Sequence, residues 1–315
     1  MKFIQTFWTK PLIGDEFKLN QNILMYEISS FLIKKYFPEI KLELVTDTLG
    51  AELLVKENYD EIKTYFDSKI INDIDISFWA IPKLFALLKY DEDIIHFDGD
   101  FFINSKNFID DFNFDVIVQN KEVGEIFKNV YASQIELVFN ILKEPAPLEN
   151  YAYNCGILGF RNINFKNFYL KKAIFLFYQI AAKFEYIKER LKFTDVEDDR
   201  YICCLIEQYL LAVATSEKNI HVKEIITLKD VLNNRQFSFD NKKFIHPVRP
   251  SKYSPSLIKY LKLFLKDIKN NSNIEICEYF KDNISFYNEF SSENSQCHNL
   301  QIFNSKIIDW LKVGK

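Results

Sequence analysis

Glycine is scarce in this chain, at 7 of 315 residues. No two glycines stand two apart, so the G-x-G of a dinucleotide fingerprint is missing, and so is the G-x-x-x-x-G-K of a P-loop. G-x-S-x-G and H-E-x-x-H are absent as well. Any phosphate bound here is not held in a glycine-rich backbone cradle. Cysteine is also sparse: Cys155, Cys203, Cys204, Cys277 and Cys297 make an odd number with no C-x-x-C. That pattern suits free thiols in a reducing compartment rather than a disulfide framework. Neither charge sign dominates, because 40 Lys and Arg face 44 Asp and Glu. The basic stripe of a generic nucleic-acid binder is lacking. The longest apolar run, Ala173–Ala182, is broken by Gln179 and bracketed by Lys172 and Lys183, too short to span a bilayer. Met1–Lys10 has no apolar signal-peptide core. The expectation is a cytoplasmic protein with no transmembrane segment and no nucleic-acid partner.

What the chain does have is a surplus of Phe, Tyr, Ile, Lys and Asn. We read this as coding bias and give the aromatics little weight as sugar-stacking platforms. Short β-like runs alternate with helical stripes through the first half. Lys2–Trp8 and Lys41–Val45 read as strands, and Leu24, Ile28, Phe31 and Leu32 form the stripe of a helix between them. Ala51–Lys56 reads as a short helix and Ile62–Phe66 as a further strand. Pro82 fits the first turn of a helix over Ile81–Tyr90. Asp93–Phe97, Phe101–Ile103 and Asp115–Gln119 continue the strands. Phe165–Leu191, Asp195–Ala214 and Leu257–Ile268 are helical in pattern. Strand–helix alternation predicts an α/β fold with a mixed, mostly parallel sheet flanked by helices. The boundary falls near residue 250, giving a domain over 1–250 and a C-terminal helical extension over 251–315.

The most informative stretch is Ile94-Ile95-His96-Phe97-Asp98-Gly99-Asp100-Phe101-Phe102-Ile103. An unbroken apolar run predicts a strand buried on both faces. Open α/β sheets bind ligands where such strands end. Two carboxylates at i and i+2 on extended backbone point the same way. Paired hard oxygens suit Mg²⁺ or Mn²⁺ whose remaining ligands are waters and substrate phosphates. The competing reading is a hairpin, because Asp-Gly is also a strong turn signal.

A helix followed by "IIHFDGDFFI" resembles the metal-binding D-x-D of GT-A glycosyltransferases, which use nucleotide-sugar donors. The strand ending in "VTD" and the later "YNCGILGF", similar to an N-x-G segment, fit the same order over residues 1–250. More narrowly, "FWTKP", "FWAIPKLFAL" and "HFDGD" resemble an uncharacterised bacterial GT-A-like group, distantly similar to family 8 type enzymes. The resemblance implies a GT-A-like (Rossmann-like) fold. It also implies a metal-dependent transfer of sugar from a nucleoside-diphosphate sugar to a glycan or lipid-linked acceptor, in bacterial surface polysaccharide or glycoconjugate synthesis.

Carried over residue by residue, the resemblance puts Mn²⁺ or Mg²⁺ on Asp98 and Asp100, with His246 of "FIHPVRP" as third ligand. Thr6 and Trp8 would lie by the nucleobase and Asp47 near the nucleotide. Lys83, in the first turn of its helix, would meet the donor's phosphates or sugar, helped by the free N–H groups there. Asn154 and Gly156 would line the sugar side of the cleft, with Cys155 as a wall residue. Arg249 or Lys252 could grip the diphosphate. For the catalytic carboxylate the choice lies between Glu197-Asp198-Asp199 and Glu207-Gln208. We favour Glu207, with Asn154 assisting. His96 reads as a core histidine. Two other functions stay in view: a non-catalytic GT-A-like scaffold, and a sugar nucleotidyltransferase, which would want a glycine-rich N-terminal loop. The lysine-flanked helix over 257–268 could touch the inner membrane face peripherally, although a packed C-terminal helix is the plainer reading.

Overall fold

The computed structural model describes residues 1–54, 58–109, 112–191, 202–226, 244–246, 253, 255–270 and 276. Nine strands are present among them: β1 (Lys2–Phe7), β2 (Leu42–Thr46), β3 (Glu61–Lys63), β4 (Ile94–Phe97), β5 (Phe102–Ile103), β6 (Val116–Val123), β7 (Tyr151–Phe160), β8 (Val222–Glu224) and β9 (Phe244–Ile245). Seven form one sheet in the order β3-β2-β1-β4-β7-β6-β8, and β5 pairs with β9 in a separate ribbon. All the pairings in the large sheet are parallel except those of β7, which runs against both β4 and β6. The architecture is the expected mixed, mostly parallel sheet with helices on both faces.

Apolar side chains from the two sheet faces form separate cores. One packs β-strand residues such as Ile4, Ile94 and Leu158 against the helices Ile81–Leu87, Ile163–Ala181 and Leu210–Lys218. The other packs Phe3, Ile95 and Ile157 against Glu16–Tyr36 and Pro255–Asn270. Strands β1 and β4 are buried on both faces, which is why their sequences lack polar alternation. Glu16–Tyr36 begins where the Asp15 carboxylate accepts a hydrogen bond from the Lys18 N–H, a side-chain N-cap. Pro255–Asn270 buries Leu257, Leu261, Phe264 and Ile268, while Lys259, Lys262 and Lys266 stay exposed. It is therefore a packed helix whose apolar side shares a core with the sheet and with Glu16–Tyr36. No helix among the described residues is long and apolar enough to cross a membrane.

Several element boundaries differ from the expectations. The strand expected to reach Phe66 ends at Lys63 and continues as a 3-10 turn, Tyr65–Asp67. The helix from Ile81 stops at Leu87. A helical stretch over residues 124–142 was not expected. It contains a π turn, Lys128–Ala132, and a second π turn, Leu205–Tyr209, interrupts the helix leading to Lys218.

Glu43 of β2 is fully buried and pairs with Lys2 and Lys63 at 2.7 Å each, and it accepts a hydrogen bond from the Tyr90 hydroxyl. Burial pushes its carboxyl up, but the hydrogen bonds from Lys2, Lys63 and Tyr90 outweigh that and bring it down to about 2. A folded-state value below the ordinary 4.5 contributes stability that is complete above about pH 4.5 and is lost as pH falls through 2. Glu43→Gln is expected to cost about 1–2 kcal/mol near pH 7, the half-exposed lysines being screened by solvent. The gap to the parent should narrow between pH 4.5 and 2 in urea unfolding.

Candidate functional site

Strands β2 and β4 lie on opposite sides of β1, so the strand order reverses at the β1/β4 pair. Clefts in open sheets form at such a reversal, beyond the carboxyl ends of the strands. A cavity of about 450 Å³ opens there, lined by Thr6 of β1 and Trp8 just beyond it, Asp98–Asp100 after β4, Lys83, and Asn154 and Gly156 of β7.

The Asp98–Asp100 segment is a turn, closed by a hydrogen bond from the Phe101 N–H to the Asp98 carbonyl. It is not the turn of a hairpin. β4 pairs with β1 and β7, and β5 diverges to pair with β9. A tight turn, rather than extended backbone, aims the two carboxylates. Gly99 is needed at its centre, because a Cβ there would sit 2.1 Å from the Tyr26 ring. The Tyr26 hydroxyl donates to the Thr6 carbonyl, which ties this contact to the end of β1.

The β5–β9 ribbon explains how His246 reaches the turn from more than 140 positions away. Phe102 pairs with Ile245 and Ile103 with Phe244, so the next residue along β9 falls beside Asp100. Stacking of Phe101 on Phe244 at 4.3 Å fixes this register. Asp98, Asp100 and His246 each offer an atom such that all three lie within 4.8 Å of one another. His246 Nε2 is 3.5 Å from Asp100 Oδ1, and its Nδ1 is 2.6 Å from Gln119 Oε1. An amide oxygen only accepts, so Nδ1 carries a proton, and Nε2 is the ring nitrogen turned toward the carboxylates. Gln119 reaches the ring because the β6–β7 register shifts between Val118 and Asn120, a bulge that re-aims one side chain. Gly156 makes room, since a Cβ there would stand 2.4 Å from His246 Cε1.

Lys83 is 5% exposed and lies between carboxylates. Its Nζ is 3.1 Å from Asp98 Oδ1, is in contact with Glu207, and donates to the Cys155 carbonyl at 3.3 Å. Burial opposes the charge on Lys83, but Asp98 and Glu207 outweigh it and its pKa is raised. Glu207, 1% exposed, is pushed by burial up to about 7 against the pull of Lys83. It stands behind Lys83 and is not part of the cavity lining; its neighbour Gln208 is.

Two more expected residues have other engagements. Asp47 caps Thr48–Leu53 by accepting from the Gly50 N–H and holds the Thr9 N–H and hydroxyl, apart from the cavity lining. Cys155 is buried, with burial raising its thiol pKa. His96 is buried and neutral, its pKa lowered by burial and by Lys83. Its Nε2 meets the Thr6 hydroxyl at 2.9 Å and its Nδ1 is 3.7 Å from Asp98. Glu197, Asp198, Asp199, Arg249 and Lys252 lie outside the described residues.

Sequence reasoning overlooked Glu122 and Tyr131, which line the cavity, and Gln119 behind His246. The available signal was β6 itself, which turns from Val116-Ile117-Val118 to Gln119-Asn120-Lys121-Glu122 toward the cleft end.

The family model of DUF6734, a family of unknown function, matches residues 1–292, and the chain belongs to that family. No curated protein matches it. Among solved structures it is similar to the galactosyltransferase LgtC in complex with donor and acceptor sugar analogues, at 9% identity over 88% of this chain and 98% of that one, TM-score 0.43. It is also similar to the glycosyltransferase GlyE of Streptococcus pneumoniae TIGR4, at 11% identity over 86% of this chain and 63% of that one, TM-score 0.42. A third likeness is to mouse xyloside xylosyltransferase 1 in its apo form, at 13% identity over 71% and 77%, TM-score 0.31.

Removing Lys83 would strand a buried carboxylate at Glu207, a change that typically costs 3–5 kcal/mol. Lys83 pulls the Glu207 carboxyl down against burial, so without it that carboxyl rises further, takes up a proton at higher pH than in the parent, and the penalty shrinks as pH falls. Lys83→Met is therefore expected to destabilise the protein more at pH 8 than at pH 6. Lys83→Met/Glu207→Gln should recover most of the difference in urea unfolding.

Proposed function

We propose that this protein is a divalent-metal-dependent glycosyltransferase that moves a sugar from a nucleoside-diphosphate donor to a glycan or lipid-linked acceptor. The observation that carries this reading is the convergence of Asp98, Asp100 and His246 beside Lys83 in one cavity at the strand-order reversal. Two carboxylates and one imidazole turned to them through Nε2 fit Mn²⁺, or Mg²⁺ with more water retained. When bound, such an ion offsets charge on a departing diphosphate.

The chain's own residues divide the remaining work. Thr6 and Trp8 border the space for the nucleoside, and Lys83 faces the diphosphate with a charge that its buried partners keep on. Asn154 and Gly156 border the sugar. In this reading Glu207 serves catalysis by holding Lys83 in place, and Gln208 is the neighbour that touches the sugar. The seating of His246 beside Asp100 counts against a non-catalytic scaffold, whose mark would be a D-x-D without a completing ligand. The scarcity of glycine near the N-terminus, where only Gly14 occurs in the first 20 residues, counts against a nucleotidyltransferase. A role in bacterial surface polysaccharide or glycoconjugate synthesis, with Lys259, Lys262 and Lys266 toward the inner membrane face, completes the proposal.

Calorimetry with UDP-, GDP- and CMP-sugars, with and without Mn²⁺, tests it. At least one donor should bind in a metal-dependent way, and Asp98→Ala/Asp100→Ala should abolish that binding. Donor hydrolysis by the parent and not by the double variant separates an enzyme from a scaffold. Absence of metal-dependent nucleotide binding in the parent would overturn the reading. Gly156→Ala, which drives a methyl into His246, is expected to weaken Mn²⁺ binding by about ten- to a hundredfold. Unchanged affinity would remove His246 from the ligand set.

A further inference from the structure

Asn22 sits inside the helix Glu16–Tyr36, where an asparagine supports helix less well than Ala or Leu, and it is only 7% exposed. Its amide nitrogen is fully engaged. One hydrogen goes to the Lys18 carbonyl at 2.8 Å and the other to the Tyr253 hydroxyl at 3.3 Å. A backbone carbonyl only accepts, so the amide atom facing Lys18 is the nitrogen and Oδ1 is the end left over. Among the described residues nothing donates to that oxygen. It is not sealed in the core either, because Asn22 belongs to the cavity lining. The helix thus presents one uncharged acceptor to the cavity.

Two neighbours fix where along the cavity this acceptor lies. Tyr26 is four residues on, on the same helix face and about 6 Å along the axis. Its ring packs against Gly99, between Asp98 and Asp100. Leu12, in the turn Lys10–Leu12 that follows Trp8, packs into the same core cluster as Tyr26 and also lines the cavity. Asn22 therefore stands between the turn that carries the metal set and the Trp8 end of the cleft. In a nucleoside diphosphate, the group between the phosphates and the base is the ribose. Its hydroxyls donate hydrogen bonds, and a C–H in their place does not. A ligand that covers Oδ1 without donating to it leaves a buried acceptor unsatisfied, which is how a polar site rejects an analogue lacking one hydroxyl.

Resting on the reading of this cavity as a nucleotide-sugar site, we propose that Asn22 is a specificity-determining residue. Its Oδ1 accepts a hydrogen bond from a ribose hydroxyl and so favours ribonucleotides over their deoxy counterparts. The Lys18 carbonyl and the Tyr253 hydroxyl hold the amide in the orientation that this requires.

Calorimetry on the full chain in Mn²⁺ tests this with UDP, GDP and CMP, each beside its 2′-deoxy and 3′-deoxy forms. The parent should bind the ribonucleotide at least fivefold tighter than one of the two deoxy forms. Asn22→Leu keeps the size and removes the acceptor. In it that ratio should fall below about twofold, through weaker binding of the ribonucleotide and with affinity for the deoxy form retained. A merely structural role would weaken both alike. Asn22→Ala, which favours the helix, gives the same readout if Asn22→Leu does not fold. Equal affinity of the parent for the ribonucleotide and both deoxy forms would overturn the proposal while leaving the transferase reading intact. So would a preference undiminished in either folded variant. Failure of every nucleotide to bind would overturn both.

Discussion

The buried ammonium of Lys83 is the interaction on which the cleft depends. It joins four parts of the chain: its own helix at Ile81–Leu87, the turn after β4 through Asp98, the second π turn through Glu207, and the β7 backbone through the Cys155 carbonyl. Without that charge the Asp98 and Glu207 carboxylates would lose the cation that stands between them. With it, the turn at Asp98 and the helix carrying Gln208 are both pinned to the sheet. Charge balance at this point is thus also the geometry of the wall opposite.

A second constraint is the reversal of β7. A parallel strand would enter the sheet at the end away from the cleft. Running the other way, β7 starts at the cleft, and its first residues lie beyond the end of β4: Ile157 pairs with Phe97, and the Asp98 N–H then donates to the Gly156 carbonyl. Asn154 and Gly156 project from that overhang. The β5–β9 ribbon closes the opposite side and delivers His246. Two pieces of antiparallel pairing added to a parallel frame therefore supply the side chains that a plain parallel sheet would have placed elsewhere.

Much of this was legible in the sequence because it depended on local pattern. The apolar run before Asp98, Pro82 at a helix start, and glycine at 99 and 156 in a glycine-poor chain all lead to residues that line one cavity. What stayed hidden depended on pairing between distant segments. Nothing near Glu207 in the sequence shows that it turns inward to Lys83 while Gln208 takes the cavity side, because an α-helical wheel assigns faces that a π turn shifts. Asp47 looked available as a carboxylate at a strand end, but Thr9 and the Thr48–Leu53 helix claim its oxygens. Glu122 and Gln119 sit in a strand whose bulge decides which way each faces, and a bulge leaves no period-2 signature.

The two π turns meet at the contact between Tyr131 and Gln208, and each holds one residue more than an α turn would need. A wall built on surplus residues can be altered by subtraction. Loss of one residue from either turn would let the helix close into ordinary α geometry, rotating one flank by roughly 100° against the other. The side chain presented to the cavity would change with no substitution there and the sheet untouched. For descendants of this chain, length variation at residues 128–132 and 205–209 offers a short route to a cleft of different chemistry.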